Sequence, residues 1–163
     1  MIKTAMSCVQ ALRSRYFAVT TPRTRGARAI CLDRSGHVVL VRQSYTRGWF
    51  LPGGAIKAGE QVPTGLIREL REEIGLQSYG QVEVLFELEH RPSHKHDTQS
   101  ILVLRDVEIA PFLSMEIEAI GIFPPTRLPS GTHSSTRYKI ERAMSVLSGD
   151  ERDWTAIPIP TET

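Results

Sequence analysis

Residues 54–76 read GAIKAGEQVPTGLIRELREEIGL, and this stretch decides how the rest of the chain is interpreted. From residue 62 to residue 74, apolar side chains recur every three to four positions, which is the spacing of one helix face. Pro63 lies near the start of this segment and Gly75 follows its end, as is typical of helices. A helix over residues 62–74 is therefore predicted. Its apolar face consists of Leu66, Ile67, Leu70 and Ile74.

The same segment carries an acidic face. Glu69, Glu72 and Glu73 stand at positions i, i+3 and i+4, so a helix turns all three toward one side. Arg68 can relieve its i+4 neighbour Glu72, but not the whole cluster of like charges. A solvated acidic face is the simpler interpretation. The alternative is a site for a hard divalent cation, because Mg²⁺ and Mn²⁺ prefer carboxylate oxygens.

As a whole, the stretch resembles the Nudix box of the MutT-like hydrolases. That motif reads Gly, five residues, Glu, seven residues, Arg-Glu, an aliphatic residue, any residue, Glu-Glu, any residue, Gly and an aliphatic residue. The segments VLVRQSYTRGWFLPGG (39–54) and EIEAIGIFPPTRLP (116–129) are also similar to that family, so the resemblance covers about residues 25–148. It implies an α/β fold, the Nudix α/β/α sandwich with a mixed β-sheet between helices. The fixed positions are filled by Gly54, Glu60, Arg68, Glu69, Leu70, Glu72, Glu73, Gly75 and Leu76.

The resemblance implies an enzyme, a pyrophosphohydrolase. It would use Mg²⁺, with Mn²⁺ able to substitute, to hydrolyse a pyrophosphate bond in a nucleoside-diphosphate-linked small molecule. A nucleotide sugar such as ADP-ribose is favoured slightly over a normal or oxidised (d)NTP, because Pro92 follows the box at about the distance seen in ADP-ribose-cleaving relatives. Two alternatives stay open: a nucleotide-sensing module on the same fold that does not catalyse, and action on RNA 5′ ends.

Individual roles also follow from the resemblance. Besides binding metal, Glu69 would orient or deprotonate the attacking water. Arg68 would brace the carboxylates through salt bridges. Glu60 would either reach the metal site or pair with Arg68. The metals would be held by Glu69, Glu72 and Glu73 and by the backbone carbonyl of Gly53.

The general base of the family often lies outside the box. Glu116 begins the EIEAIGIF segment, where many relatives carry an extra carboxylate, although an exposed charge at a strand edge is an equal interpretation. Glu118 and Asp97 are weaker candidates.

Aromatic residues precede the glycine pair of the box. Tyr45 and Trp49 could stack on a nucleobase or pack within a loop, whereas Phe50 is expected to pack. Arg42 completes the candidate substrate-binding set.

Alternating or continuous apolar runs predict strands on both sides of the helix. The segments at 27–33 and 37–43 flank an Arg-Ser-Gly turn and predict a hairpin. Further strands are predicted at 82–90, 100–109 and 116–123, with a polar loop, RPSHKHDTQ, over 91–99. A second helix is predicted at 134–147. Its candidate core positions are Tyr138, Ile140, Met144 and Leu147.

Three regions are expected along the chain: a basic N-terminal arm (1–23), the Nudix hydrolase domain (24–148) and a C-terminal tail (149–163) that is weakly ordered or lies on the surface. No Asp or Glu occurs before Asp33, so the arm is either an element packed at the domain edge or an organelle transit peptide. His90, His94 and His96 either line the substrate mouth or form a zinc site.

Composition narrows the class of partner. Among 163 residues, 40% are hydrophobic and 23% are charged, with a formal net charge of +2, which disfavours nucleic acid or a membrane as the main partner. No apolar run is long enough to span a bilayer. Two cysteines predict no disulfide framework, and a cytoplasmic location is expected. A homodimer is compatible with these observations.

Overall fold

The computed structural model describes residues 23–90, 96–112, 114–150 and 152–160. The basic arm, apart from Arg23, therefore lies outside the described residues, as do His94 and the side chains of His90 and His96. The helices and strands in chain order are β1 (Arg23–Cys31), β2 (Val38–Gln43), β3 (Gly53–Ala55), α1 (Val62–Ile74), β4 (Leu76–Ser78), β5 (Gln81–His90), β6 (His96–Arg105), β7 (Glu108–Ile109), β8 (Ile117–Phe123) and α2 (Ser134–Ser148), followed by a 3₁₀ turn (Trp154–Ala156).

A mixed sheet occupies the centre of the fold. Its strand order is β3-β1-β6-β5, with β1 and β6 parallel and the other neighbours antiparallel. Strands β2 and β8 form a second, antiparallel pair, and β4 pairs with β7. The predicted mixed sheet is confirmed.

The expected hairpin between β1 and β2 is wrong. The chain does turn between them, where Asp33 Oδ1 accepts backbone N–H groups of Ser35 and His37 at 2.8 Å. Beyond the single bridge between Leu32 and Val38, however, the two strands join different sheets. Both strands are buried over most of their length and take other neighbours: β1 pairs with β3 and β6, and β2 pairs with β8.

The loop expected over 91–99 is shorter than predicted. Strand β6 already includes His96 to Gln99, and this polar stretch pairs with β5 on one side and with β1 on the other. Backbone pairing with two neighbours makes this segment a strand despite its polar composition. The predicted strand at 100–109 is also divided, because Asp106 adopts a positive φ of 53° between β6 and β7.

Helices α1 and α2 cover opposite faces of the central sheet. Residues Ala27 and Ala29 of β1 pack in one hydrophobic cluster with the buried face of α1. Ile30, on the other side of the same strand, packs in a second cluster with Tyr138 and Ile140 of α2. This arrangement is the predicted α/β/α sandwich. Both helices end at a left-handed glycine, with φ of 67° at Gly75 and 72° at Gly149.

The C-terminal tail is better packed than expected. Trp154 is only 7% exposed and meets Tyr138 edge-on, with ring centroids 5.5 Å apart. Its indole N–H donates to Ser145 Oγ at 3.1 Å, and Ile159 packs against the same cluster. The tail therefore completes the core beside α2. No helix within the described residues is long and apolar enough to cross a membrane.

Candidate active site

Arg68 forms hydrogen bonds with carboxylates of the Nudix box and holds them in place. Its Nε and one terminal nitrogen donate to the two oxygens of Glu60 at 3.1 and 3.0 Å, and its other terminal nitrogen donates to Glu69. Glu72 lies 3.9 Å from the same guanidinium. The hydrogen bonds from Arg68, joined by the backbone N–H of Lys57, lower the pKa of Glu60 to about 2. Of the two options for Glu60, the structure shows the pairing with Arg68.

The glycine pair before the box allows the loop to approach α1 closely. A Cβ on Gly54 would collide with the carboxylate of Glu69, and a Cβ on Gly53 would collide with the backbone of Ala27. Gly53 also has a φ of 135°, which side chains rarely tolerate. Its N–H donates to Oε2 of Glu73 at 2.7 Å. Glycine at both positions is thus a steric requirement of the acidic face.

Glu73 is a largely enclosed carboxylate of the helix. Burial raises its pKa, and the nearby charge of Glu69 adds to that effect. The hydrogen bond from Gly53, the positive charge of Arg28 and a hydrogen bond with Gln43 oppose it without cancelling it. A negative charge is therefore costly here unless a cation compensates it.

A cleft of about 610 Å³ opens in front of these residues. Most of the predicted site residues line this cleft. Residues of the box line it together with candidates that are distant in sequence: Glu69, Glu72, Glu73, Gly53, Tyr45, Glu116 and Asp97. Burial, together with the charges of Glu116 and Glu73, raises the pKa of the Tyr45 phenol, which shows that these three side chains are electrostatic neighbours.

Two residues predicted to contact the substrate, Arg42 and Trp49, do not line the cleft. Arg42 donates to Glu118 at 2.6 Å and lies over the ring of Trp49, 5.4 Å from its centre. Trp49 packs edge-on against Phe123. None of these residues lines the cleft, whereas Gln43, the next residue of β2, does. Alternation along the strand explains the difference, because neighbouring side chains point to opposite faces. Glu118 is thereby a partner of Arg42 outside the cleft.

Phe50 packs as expected. Its ring stacks on that of His133, with centroids 5.3 Å apart.

Sequence reasoning missed three cations and two amides that line the cleft, namely Arg25, Arg28, Lys139, Gln43 and Gln99. Arg28 interrupts the apolar run of β1, and Lys139 stands between the core residues Tyr138 and Ile140 of α2. A charged residue within an apolar stretch was the available signal.

The donor set fits a hard divalent cation by its chemistry. Three carboxylates of one helix line the cleft, and Mg²⁺ and Mn²⁺ prefer oxygen ligands. Within the described residues, no three His, Cys, Asp or Glu side chains already stand close enough together to hold a metal ion. The Gly53 carbonyl, expected to bind metal, accepts a hydrogen bond from Arg28 at 2.6 Å. One lone pair of that oxygen is thus occupied, and its role as a ligand stays a prediction.

Comparison with known proteins agrees with the motif and the fold. A family model described as the NUDIX domain matches residues 22–144. The chain belongs to the NUDIX family. It is 38% identical over 52 residues to a candidate 8-oxo-dGTP diphosphatase of Bacillus subtilis (strain 168), a match that covers 32% of this chain and 35% of that protein. The chain thus matches only about a third of the length of this curated relative.

Solved structures share the fold over most of their length. A candidate nudix hydrolase family member from Chromobacterium violaceum is 26% identical, with a TM-score of 0.59, over 79% of this chain and 81% of that one. A MutT NUDIX hydrolase from Burkholderia pseudomallei is 24% identical, with a TM-score of 0.63, over 74% of this chain and 97% of that one. The Nudix α/β/α sandwich predicted from the sequence is confirmed.

Proposed function

We propose that this protein is a Mg²⁺-dependent pyrophosphohydrolase, which cleaves a diphosphate linkage in a nucleotide-type small molecule by attack of water on phosphorus. The observation that carries the proposal is the convergence of Glu69, Glu72 and Glu73 on one cleft that also contains the cations Arg28 and Lys139. An acidic wall opposite cationic side chains suits a diphosphate bound through metal on one side and directly on the other.

Glu69, Glu72 and Glu73 would hold the metal, which would supply charge neutralisation and a more acidic water. The remaining contribution comes from the protein itself. Arg68 holds Glu69 in place and is in turn anchored by Glu60. Gly53, through its N–H, holds Glu73. These hydrogen bonds restrict how the carboxylates can move and so hold them ready to bind the metal.

Glu116 is our candidate for the general base. It lines the cleft from the start of β8, on a different element from the acidic helix, and the pKa of Tyr45 reflects its nearby charge. Glu69 is the alternative, but one of its oxygens is engaged by Arg68. Asp97 also lines the cleft and is a weaker candidate.

A nucleotide sugar such as ADP-ribose is our preferred substrate over a (d)NTP or an oxidised dNTP. The Bacillus subtilis relative carries a name that points to the oxidised triphosphate. Both classes therefore belong in the first assay. A domain that binds such a nucleotide without cleaving it is the competing proposal. A cytoplasmic location and a homodimer stay predictions, as do the domain boundaries.

The test combines a substrate panel with a matched pair of variants. Wild type, Glu72→Gln and Glu141→Gln are incubated with ADP-ribose, other nucleotide sugars and triphosphates, with and without Mg²⁺, and the products are identified. The Glu72 side chain is 65% exposed, so its replacement spares the fold. Glu141 is an exposed carboxylate of α2 outside the cleft. We expect metal-dependent cleavage by wild type and Glu141→Gln only. Full activity in Glu72→Gln would contradict the metal assignment, and tight binding without turnover in wild type would favour the sensing module.

A further inference from the structure

The C-terminal tail, which the structure describes over residues 152–160, reaches the cleft. It follows residues 22–144, which match the NUDIX domain, so membership of the family assigns the tail no role. Ile159 and Pro160 nevertheless line the same cleft as the carboxylates of α1. The tip of the tail is therefore part of the candidate active site as well as a support for α2.

A buried anchor holds the tail on the core. The indole N–H of Trp154 donates to Ser145 Oγ at 3.1 Å, and that hydroxyl donates in turn to Asp150 Oδ2 at 2.9 Å. Farther along the tail, Ile159 packs against the hydrophobic cluster that contains Trp154 and Leu88. Because these contacts hold the segment at two points, its tip forms a fixed wall of the cleft.

Leu88 also belongs to a row of residues that crosses the central sheet. Gly26 of β1 pairs with Gln99 of β6, and Gln99 pairs with Leu88 of β5. All three residues line the cleft, as does the tip of the tail. This part of the cleft thus combines apolar side chains with one amide and a position that has no side chain.

The position without a side chain, Gly26, is not explained by the fold. Its φ is not positive, so the backbone there does not require glycine. A Cβ would meet only the carbonyl oxygen of Gly54, at 3.7 Å, which is an ordinary contact. Glycine weakens the interior of a strand and often marks a place where a ligand approaches closely. Gly26 therefore indicates space for a bound group.

We propose that Ile159 and Pro160 determine how tightly the organic group of the substrate binds, by forming an apolar wall of the cleft near Gly26 and Gln99. Apolar surface with a single amide suits an organic group, whereas phosphate oxygens are bound best by charged donors. This inference rests on the proposed function and adds a specificity element that lies outside the NUDIX match. The acidic helix serves cleavage, and the tail serves recognition.

Two substitutions test the wall from opposite sides. Ile159→Ala removes apolar surface, and Ile157→Ala is its matched control, because Ile157 is 36% exposed in the same tail and does not line the cleft. Gly26→Val fills the space instead. With the best substrate of the panel, we expect Ile159→Ala and Gly26→Val each to raise KM at least about fivefold and to leave kcat within about twofold of wild type. Ile157→Ala should match wild type.

Two further measurements separate recognition from a structural effect. Valine suits a strand better than glycine does, so Gly26→Val should keep or raise the Tm while it raises KM. A change that only loosened the fold would lower the Tm. The Mg²⁺ concentration for half-maximal activity should stay the same in both variants, because α1 is untouched.

The inference is overturned by an unchanged KM in Ile159→Ala or Gly26→Val, by an equal rise in Ile157→Ala, or by a fall in kcat alone. Each of these results leaves the proposed function intact. If wild type cleaves no compound of the panel, the proposed function fails instead. Calorimetry with ADP-ribose then tests the wall separately: weaker binding to Ile159→Ala than to Ile157→Ala supports it, and equal or absent binding contradicts it.

Discussion

The N–H of Gly53 donates to Oε2 of Glu73 at 2.7 Å, joining the loop before the Nudix box to a largely enclosed carboxylate within the box. The two residues are 20 positions apart in the chain. This bond only partly offsets the burial of Glu73, whose pKa stays above its usual range. The acidic face thus holds a charge that the protein alone does not fully stabilise.

Replacing Glu73 with Gln should stabilise the metal-free protein near neutral pH. Because the folded-state pKa is raised, the folded state favours the protonated acid; that advantage is complete below the unfolded pKa of about 4.5 and is lost as pH rises through the folded value. Gln mimics the protonated acid at every pH. In EDTA we expect a higher Tm for Glu73→Gln at about pH 7.5 and a smaller difference near pH 4, measured by thermal unfolding.

Added Mg²⁺ provides the complementary measurement. It should raise the Tm of wild type more than that of Glu73→Gln, since the substitution removes one of the three carboxylates proposed to bind the ion. A lower Tm for Glu73→Gln in EDTA at neutral pH would contradict the proposed cost of the buried charge.

Arg68→Lys should lower kcat by about 10- to 100-fold, because the loss of a residue that hydrogen-bonds to metal ligands commonly has an effect of this size. A lysine cannot reproduce the forked hydrogen bonds to Glu60 and Glu69. The Mg²⁺ concentration for half-maximal activity should rise as well. Arg71→Lys is the matched control, since Arg71 is exposed on the same helix. Equal kinetics in the two variants would show that charge alone suffices at position 68.

Tyr45→Ala should raise KM, whereas Arg42→Gln should leave it unchanged. Tyr45 lines the cleft, but Arg42 is turned to the opposite face of β2 and pairs with Glu118. If Tyr45 stacks on the base, the rise should be about tenfold, because one stacking contact contributes about 1–3 kcal/mol. Steady-state kinetics on the best substrate measure KM for both variants. A raised KM in Arg42→Gln would show that Arg42 contributes to substrate binding after all.

Trp154→Ala should destabilise the fold by about 3–5 kcal/mol, as is usual for truncating a buried aromatic side chain. It removes the edge-on contact with Tyr138 and the hydrogen bond to Ser145. Trp154→Phe should cost less, because it keeps most of the packing. Urea unfolding measures both. An unchanged midpoint in Trp154→Ala would mean that the tail contributes nothing to the core.

The acidic helix could be predicted to the residue because its determinants are local. Leu66, Leu70 and Ile74 repeat with the helical period, and the same spacing turns Glu69 and Glu73 to the other side. The limits of this helix, 62–74, were predicted as the structure has them. The motif adds the requirement for glycine at its upstream end, which the close approach of the Glu69 carboxylate to Gly54 explains.

Tertiary structure decided everything that depends on which distant segments meet. Local pattern could not show that β1 would pair with β3 and β6, because hydrophobic alternation marks a strand but does not name its neighbour. For the same reason Gln43 rather than Arg42 lines the cleft, and Arg28 and Lys139, more than 100 residues apart, line that same cleft. The sequence by itself determined the chemistry of the acidic face, because helical geometry alone brings the three carboxylates to one side of the helix. The cationic wall of the cleft, which includes Arg28 and Lys139, depends on sheet register and helix packing, and these arise only when the whole core is buried.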